Sequence, residues 1–345
     1  MINNLQTLRG ICALLAFTLH FGFNNLMIEN TGDFLVTTFM MISGFVLTLS
    51  SLKKPGKRSI GSIVQFMIAR LIHIYPLYLL ALLITLPLRN FDMSAGPVIA
   101  NLLMIQSWIP NIDYFFSGNS PSWFISSIMF CYLMFLPVFW LATTRKKLAL
   151  NLLALFLISY FAIVINIPNS LVKFTVYIFP PMQFASFLLG MILALMHHKK
   201  KWAIDSAPVA NVLIIGAFAL NFVVLYFQPQ FSPRFTLSSY WWISAGGLMA
   251  VCVATDKTES TATSILHLKP FVNFGNISFS FYIIHYPWIL GTRLIIRQFG
   301  LSIPFMIEYI ISFIVLAILS YYLYRYFEIP VTKKLKSLSV SGKNS

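Results

Sequence analysis

The chain is a succession of apolar stretches, each about as long as a helix needs to be to cross a bilayer, and no soluble core can absorb so many of them. Taking about 20 apolar residues as one crossing, the stretches fall near 7–24, 34–52, 64–87, 122–142, 148–167, 174–196, 208–227, 236–254, 271–290 and 303–325. A further run, Pro97 to Ile109, is too short to span about 30 Å of hydrocarbon as a helix, and reads as re-entrant or interfacial. The expected fold class is therefore an all-α polytopic membrane protein with about ten transmembrane helices plus one short re-entrant or interfacial segment. Composition agrees. Of 345 residues, 58% are hydrophobic and only 10% charged, and the mean hydropathy of +0.81 excludes an ordinary soluble domain. Residues 1–330 read as one integral membrane domain and 331–345 as a basic tail.

A net charge of +15 would suggest nucleic acid in a soluble protein, so the placement of the charges decides. Ten crossings put both termini on one side. Loops on that side collect Lys53, Lys54, Lys57 and Arg58, then Arg145 to Lys147, Lys199 to Lys201, Lys257, Lys269, Arg325 and the lysines of the tail, Lys343 included. The other side receives Arg89, Lys173, Arg234, Arg293 and Arg297. Short cytoplasmic loops carry the Lys and Arg excess, so both termini are expected in the cytoplasm and no nucleic acid partner is expected. Were Pro97 to Ile109 a true crossing, Arg145 to Lys147 would change sides and the asymmetry would degrade. Cys12, Cys131 and Cys252 lie inside apolar runs without paired spacing and read as packed residues. No His, Cys or carboxylate cluster has metal-ligand spacing, so no metal is expected. The first stretch reads as retained: His20 interrupts it, and no A-x-A-like site precedes the polar turn Asn24, Asn25.

That first stretch, LRGICALLAFTLHFGF, holds two ionisable residues, Arg9 and His20. Such groups are costly within a bilayer and mark function by default. Eleven steps of about 100° come to roughly three turns plus about 20°, so both share one helix face, about 16 Å apart along the axis. That is the reach of an extended substrate, not of a salt bridge. A neutral imidazole there can take a proton from a hydroxyl and return it to a leaving group; the blander alternative is a histidine bonded to a neighbouring helix.

The third stretch adds Arg70 and His73, three apart and on one face of QFMIARLIHIYPLY. With Arg9 they would make a positive, cytoplasm-facing pocket suited to phosphates, because a guanidinium binds phosphate oxygens as a fork. Pro76 can kink the helix and open space beside it. Snorkelling to the interface is the alternative for both arginines.

These residues carry a resemblance. Arg9-Gly10 and, with ten residues between it and the arginine, His20 resemble the first-helix signature of acyltransferase family 3, integral membrane proteins that move acyl groups, often acetyl, onto hydroxyls of extracytoplasmic sugars. FMMISGF at Phe39 to Phe45 resembles the family's F-x-x-S-G-F pattern. Arg70 to Pro76, Ser122-Trp123 to Tyr132, ISFSFYIIHYP at Ile277 to Pro287 and YRYFEIP at Tyr324 to Pro330 follow in matching order, so the resemblance covers essentially the whole chain. It implies an O-acyltransferase that takes an acyl group, acetyl foremost, from cytosolic acyl-CoA to a hydroxyl of a lipid-linked or surface glycan at the bacterial inner membrane. It also implies that His20 is catalytic and that Arg9 and Arg70, with His73 beside them, hold the CoA phosphates. Three departures stand out. His73 occupies the usual place of a second arginine, Ile128 the place where many members carry Glu, and the lipase-like soluble domain of some members has no counterpart, so transfer must be completed by the membrane domain or a separate protein.

Candidates for the acceptor side are Trp123, placed to stack a sugar ring, with Ser122 beside it, and Tyr282 and His285, which share a helix face at i,i+3. For Ser278, Ser280, Tyr282 and His285 a helix–helix hydrogen-bond network is the competing reading. Ser43-Gly44 lacks a nucleophile-elbow context and reads as close helix packing. Trp108, Trp123, Trp241, Trp242 and Trp288 fit interfacial belts, and His197 and His198, beside three lysines, a solvated loop. The competing functional class is a transporter or flippase of an anionic solute that uses Arg9, Arg70 and His20 for binding or proton relay; a third is a structural subunit of a glycan-assembly complex.

Overall fold

Each expected crossing contains a helix in the computed structural model, which describes residues 2–341 apart from 24, 25, 55, 90 and 91. The expected turn at Asn24 and Asn25, and Lys343 of the tail, lie outside the described residues. The ten principal helices, first to tenth, are Asn3–Phe21, Thr31–Lys53, Ile60–Leu88, Trp123–Thr144, Lys146–Asn166, Pro180–Lys200, Ala207–Phe227, Trp242–Ala254, Ser278–Gln298 and Phe305–Leu323, and no strand occurs among the described residues. Seven of them are both long and apolar enough to cross a membrane. The first and ninth are long enough but more polar, because they carry Arg9 and His20, and His285, Arg293 and Arg297. The eighth has 13 residues, about 20 Å at 1.5 Å per residue.

Three expected boundaries are corrected, each by a local signal that an average of hydropathy does not register. The eighth helix begins at Trp242 rather than 236, since Ser238 and Ser239 sit in a turn after the short helix Pro233–Thr236. The ninth crossing, expected at 271–290, is two helices, Lys269–Asn276 and Ser278–Gln298; Gly275-Asn276 is a helix-stop pair. The sixth begins at Pro180, where a proline suits the first turn, after a π-helical turn Lys173–Ile178. The tail is helical too, over Ile329–Ser341.

The second and sixth helices form the interior wall, with 61% of their most apolar window buried, against 11% for the fifth, which faces outward. They touch along glycines. A Cβ on Gly44 would collide with the Phe187 carbonyl, and one on Gly190 with the Met41 carbonyl, so Ser43-Gly44 is indeed a close-packing device. The three cysteines are buried, as expected. Trp123 and Trp241 are not belt residues: they are 5% and 2% exposed, with Trp241 edge-on to Phe34. His197 belongs to the last turn of the sixth helix, packed on Trp202 and Phe45, rather than to a solvated loop.

The run Pro97 to Ile109 does not cross. It contains most of the helix Ala95–Leu102, eight residues long, and the turn Gln106–Trp108. Irregular backbone at membrane depth persists only where protein satisfies its polar groups, and here it does. The Tyr78 hydroxyl donates to the Asn101 carbonyl (2.8 Å), the Asn101 amide to Ser117 Oγ (2.6 Å) and Ser107 Oγ to the Trp123 carbonyl (2.7 Å).

The first helix is held at both ends. At its start the Asn4 N–H donates to Asp256 (2.9 Å), the Asn4 amide to the Cys252 carbonyl (3.0 Å), and Thr7 to the Leu266 carbonyl. Gly10 lies against Gly275, where a Cβ would strike the Gln6 carbonyl. At its end Gly22 adopts φ 92°, the left-handed cap, and the Arg293 guanidinium donates to the Phe21 carbonyl. A helix fixed in this way cannot rotate to turn Arg9 and His20 toward lipid.

Candidate active site

Arg9, Arg70 and His73 come together as expected, around a cavity of about 210 Å³ that is also lined by Gln6, Ser43, Tyr132 and Ser278. The cavity is cationic for a specific reason. No carboxylate lines it, Ile128 among its lining residues filling the place where an acid was expected from the resemblance. Among the described residues neither arginine has a carboxylate partner: Arg9 reaches only Gln6 Oε1, at 3.5 Å, and the guanidinium carbon of Arg70 lies 5.1 Å from the Phe66 ring centre and 5.9 Å from that of Tyr132. Arg70 Nε is buried with no hydrogen-bond partner. A desolvated donor without an acceptor is costly, and an anionic ligand would relieve that cost.

Glu328 stands just behind this cavity and was not singled out from the sequence beyond its motif. It is 5% exposed, accepts from Ser280 Oγ at 2.6 Å, and lies 3.8 Å from His73 Nε2. It thus ties the third and ninth helices together behind the arginines. An acid at the end of an apolar run is the signal that could have found it.

His20, eleven residues along the same helix, lines a second and smaller cavity of about 50 Å³, with Gly32, Pro121, Trp123 and Tyr177. The two cavities are not one open tunnel. They share three lining residues, Phe39, Phe124 and Tyr282, and meet at those rings. Trp123 therefore stands beside the imidazole, whereas Ser122 lines neither cavity; its hydroxyl is buried.

His285 lines neither of these two cavities. Its Nε2 lies 3.1 Å from Nδ1 of His20, with ring centres 5.0 Å apart. Two carbonyls fix the protons of this pair. His285 Nδ1 meets the Tyr282 carbonyl and His20 Nδ1 meets the Ala16 carbonyl at 2.8 Å. A carbonyl only accepts, so both Nδ1 atoms carry hydrogen, and the single His20 N–H is shared between the Ala16 carbonyl and the Nε2 lone pair of a neutral His285. The network assigns one arrangement in which His20 Nε2 keeps its lone pair. Sequence spacing could not show this, because the two histidines are 265 positions apart.

Comparison with known proteins agrees with this architecture. The family model described as an acyltransferase domain matches residues 2–325. The acyltransferase MdmB of Streptomyces mycarofaciens is 27% identical over 333 residues, which cover 87% of this chain and 82% of that protein. The O-acetyltransferase OatA of Staphylococcus aureus is 25% identical, covering 88% of this chain and 53% of its own length. YrhL of Bacillus subtilis, provisionally named a peptidoglycan O-acetyltransferase, is 24% identical, covering 98% and 56%. The chain thus spans about half the length of the last two. No solved structure matches. Helices in this order, and a family match running through nearly all of them, make the chain a member of acyltransferase family 3, a multi-pass membrane acyltransferase.

Proposed function

We propose that the protein is an O-acyltransferase of the bacterial inner membrane, with both termini cytoplasmic, that carries acetyl from cytosolic acetyl-CoA to a hydroxyl of a cell-envelope glycan or its lipid-linked precursor. Arg9 and Arg70 bind the CoA phosphates, with His73 at the mouth, and the pantetheine arm extends along the first helix toward His20. The observation that carries the reading is the histidine pair, whose hydrogen bonds keep a lone pair on His20 Nε2 one helix-length from two arginines without carboxylate partners. His20 takes the proton of the acceptor hydroxyl as its oxygen attacks the thioester carbonyl. The carbon–sulfur bond breaks, and the same proton passes to the departing CoA sulfur. His285 is a positioning residue in this scheme, and Trp123 offers a face on which a sugar ring can stack. The glycan acceptor is supported by the name of YrhL, and the acetyl group by the names of OatA and YrhL.

Mass spectrometry of envelope glycans from source cells with and without the protein tests this. The expected result is an acetyl ester on a glycan hydroxyl that disappears with the protein. Identical glycans in both, together with solute flux that releases no CoA, would establish the transporter reading instead.

A further inference from the structure

The two cavities differ fourfold in size and are separated by three rings from three helices. Phe39 comes from the second helix, Phe124 from the fourth and Tyr282 from the ninth. Their centres form a nearly equilateral triangle, 6.0 Å between Phe39 and Phe124, 6.1 Å between Phe39 and Tyr282, and 5.9 Å between Phe124 and Tyr282. Rings at such separations are in contact, so the triangle is closed. One member is tethered: the Tyr282 hydroxyl donates to the Pro121 carbonyl at 2.7 Å, which fixes its ring from outside the triangle. The phenylalanines have no polar anchor, and passage of an acyl group requires them to part by side-chain rotation.

We infer that Phe39, Phe124 and Tyr282 are a collar between donor cavity and histidine chamber, and that this collar with the chamber behind it restricts the transferred group to acetyl size. The inference rests on the acyl-CoA reading above and deepens it. The chamber of about 50 Å³ has room for on the order of four water-sized groups, at about 10–15 Å³ each. The three heavy atoms of an acetyl group and the acceptor hydroxyl together fill it. A butyryl chain adds two methylenes, and a succinyl group adds a carboxylate as well, with no cation among the lining residues on that side of the collar. Trp123 and Tyr177, whose rings are 4.8 Å apart, line the chamber as well, so a longer chain competes with the acceptor for the same space.

The test uses membrane vesicles from source cells with their own glycans, the cytoplasmic face outward, and labelled acetyl-, propionyl- and butyryl-CoA. Label in alkali-labile ester is counted above vesicles that lack the protein. Each added methylene is expected to cost wild type about tenfold or more in kcat/KM. In Phe124→Leu and, separately, Phe39→Leu, the preference for acetyl over butyryl is expected to narrow by at least about tenfold. Because both phenylalanines also line the donor cavity, the ratio of kcat/KM between donors, in which a common loss of CoA affinity cancels, is the readout. An unchanged chain-length profile in a variant that still transfers acetyl overturns the collar while leaving the acyltransferase reading intact. Should one variant fail to accumulate in the membrane, the other decides. Wild-type vesicles that transfer no acyl group from any of the three donors overturn the underlying reading, and the collar with it.

Discussion

Replacing His285 by Ala removes one of the two acceptors of the His20 N–H, the Ala16 carbonyl being the other, without removing the base itself. A fall in kcat of about 10²-fold with little change in KM for acetyl-CoA is expected, the signature of an interaction used in the transition state alone. Steady-state kinetics in vesicles checks it, and a rise in KM at constant kcat would place His285 in donor binding instead. At the other end, Arg9→Gln removes one charge-assisted set of phosphate contacts worth about 1.5–3 kcal/mol, so acetyl-CoA binding should weaken by about tenfold or more. Arg70→Gln should do the same, and titration calorimetry with acetyl-CoA measures both. Much of this site was legible residue by residue. An ionisable side chain in an apolar run announces itself, which is how Arg9, His20 and Arg70 were found. Phe39 and Phe124 carried no such mark among 33 phenylalanines, and the His20–His285 contact is a tertiary fact that no local spacing contains.

Among elements, the first helix matters most, since its rotation and depth set where both functional groups point. It is positioned by contact with backbone as much as with side chains: Gly275 lies so close to Gln6 that a methyl group cannot fit. Gly275→Ala is therefore expected to displace the helix and lower stability by about 1–3 kcal/mol, as a fall in melting temperature of the detergent-solubilised protein. Gly190→Ala should act likewise between the second and sixth helices, whereas Gly216→Ala, with open space around it, should not. Helix existence was readable from hydropathy alone, because about 20 apolar residues have few other options. Helix ends were not, at three places. Gly275-Asn276, Pro180-Pro181 and the serines before Trp242 act through backbone geometry and hydrogen bonding, to which an average over side-chain hydropathy is blind.

For the molecule as a whole, the proposed orientation of the bundle rests on the distribution of its lysines and arginines. The start of the first helix is bonded to Cys252, Asp256 and Leu266, which puts the amino terminus and the 255–268 segment at one end, as an even number of intervening crossings requires. The buried cysteines make this testable. With Cys12, Cys131 and Cys252 in place, a membrane-impermeant maleimide should leave the wild type unlabelled. Lys147→Cys and Lys257→Cys should then label only with the cytoplasmic face outward, and Arg297→Cys only with the opposite face outward. The charge count gives this topology as an expectation, which the labelling checks. The division of the interior into two cavities was not legible from the sequence, because it depends on three rings drawn from three helices.

The central claim is that one end of the first helix binds the donor while the other does chemistry, and a single sample of His20→Ala addresses both. Acetyl-CoA binding and acetyl transfer to the glycan are measured together in the same vesicles. The expected result is transfer reduced by about 10²–10⁴-fold with binding unchanged, and transfer that survives, or that falls only in proportion to lost binding, would contradict it.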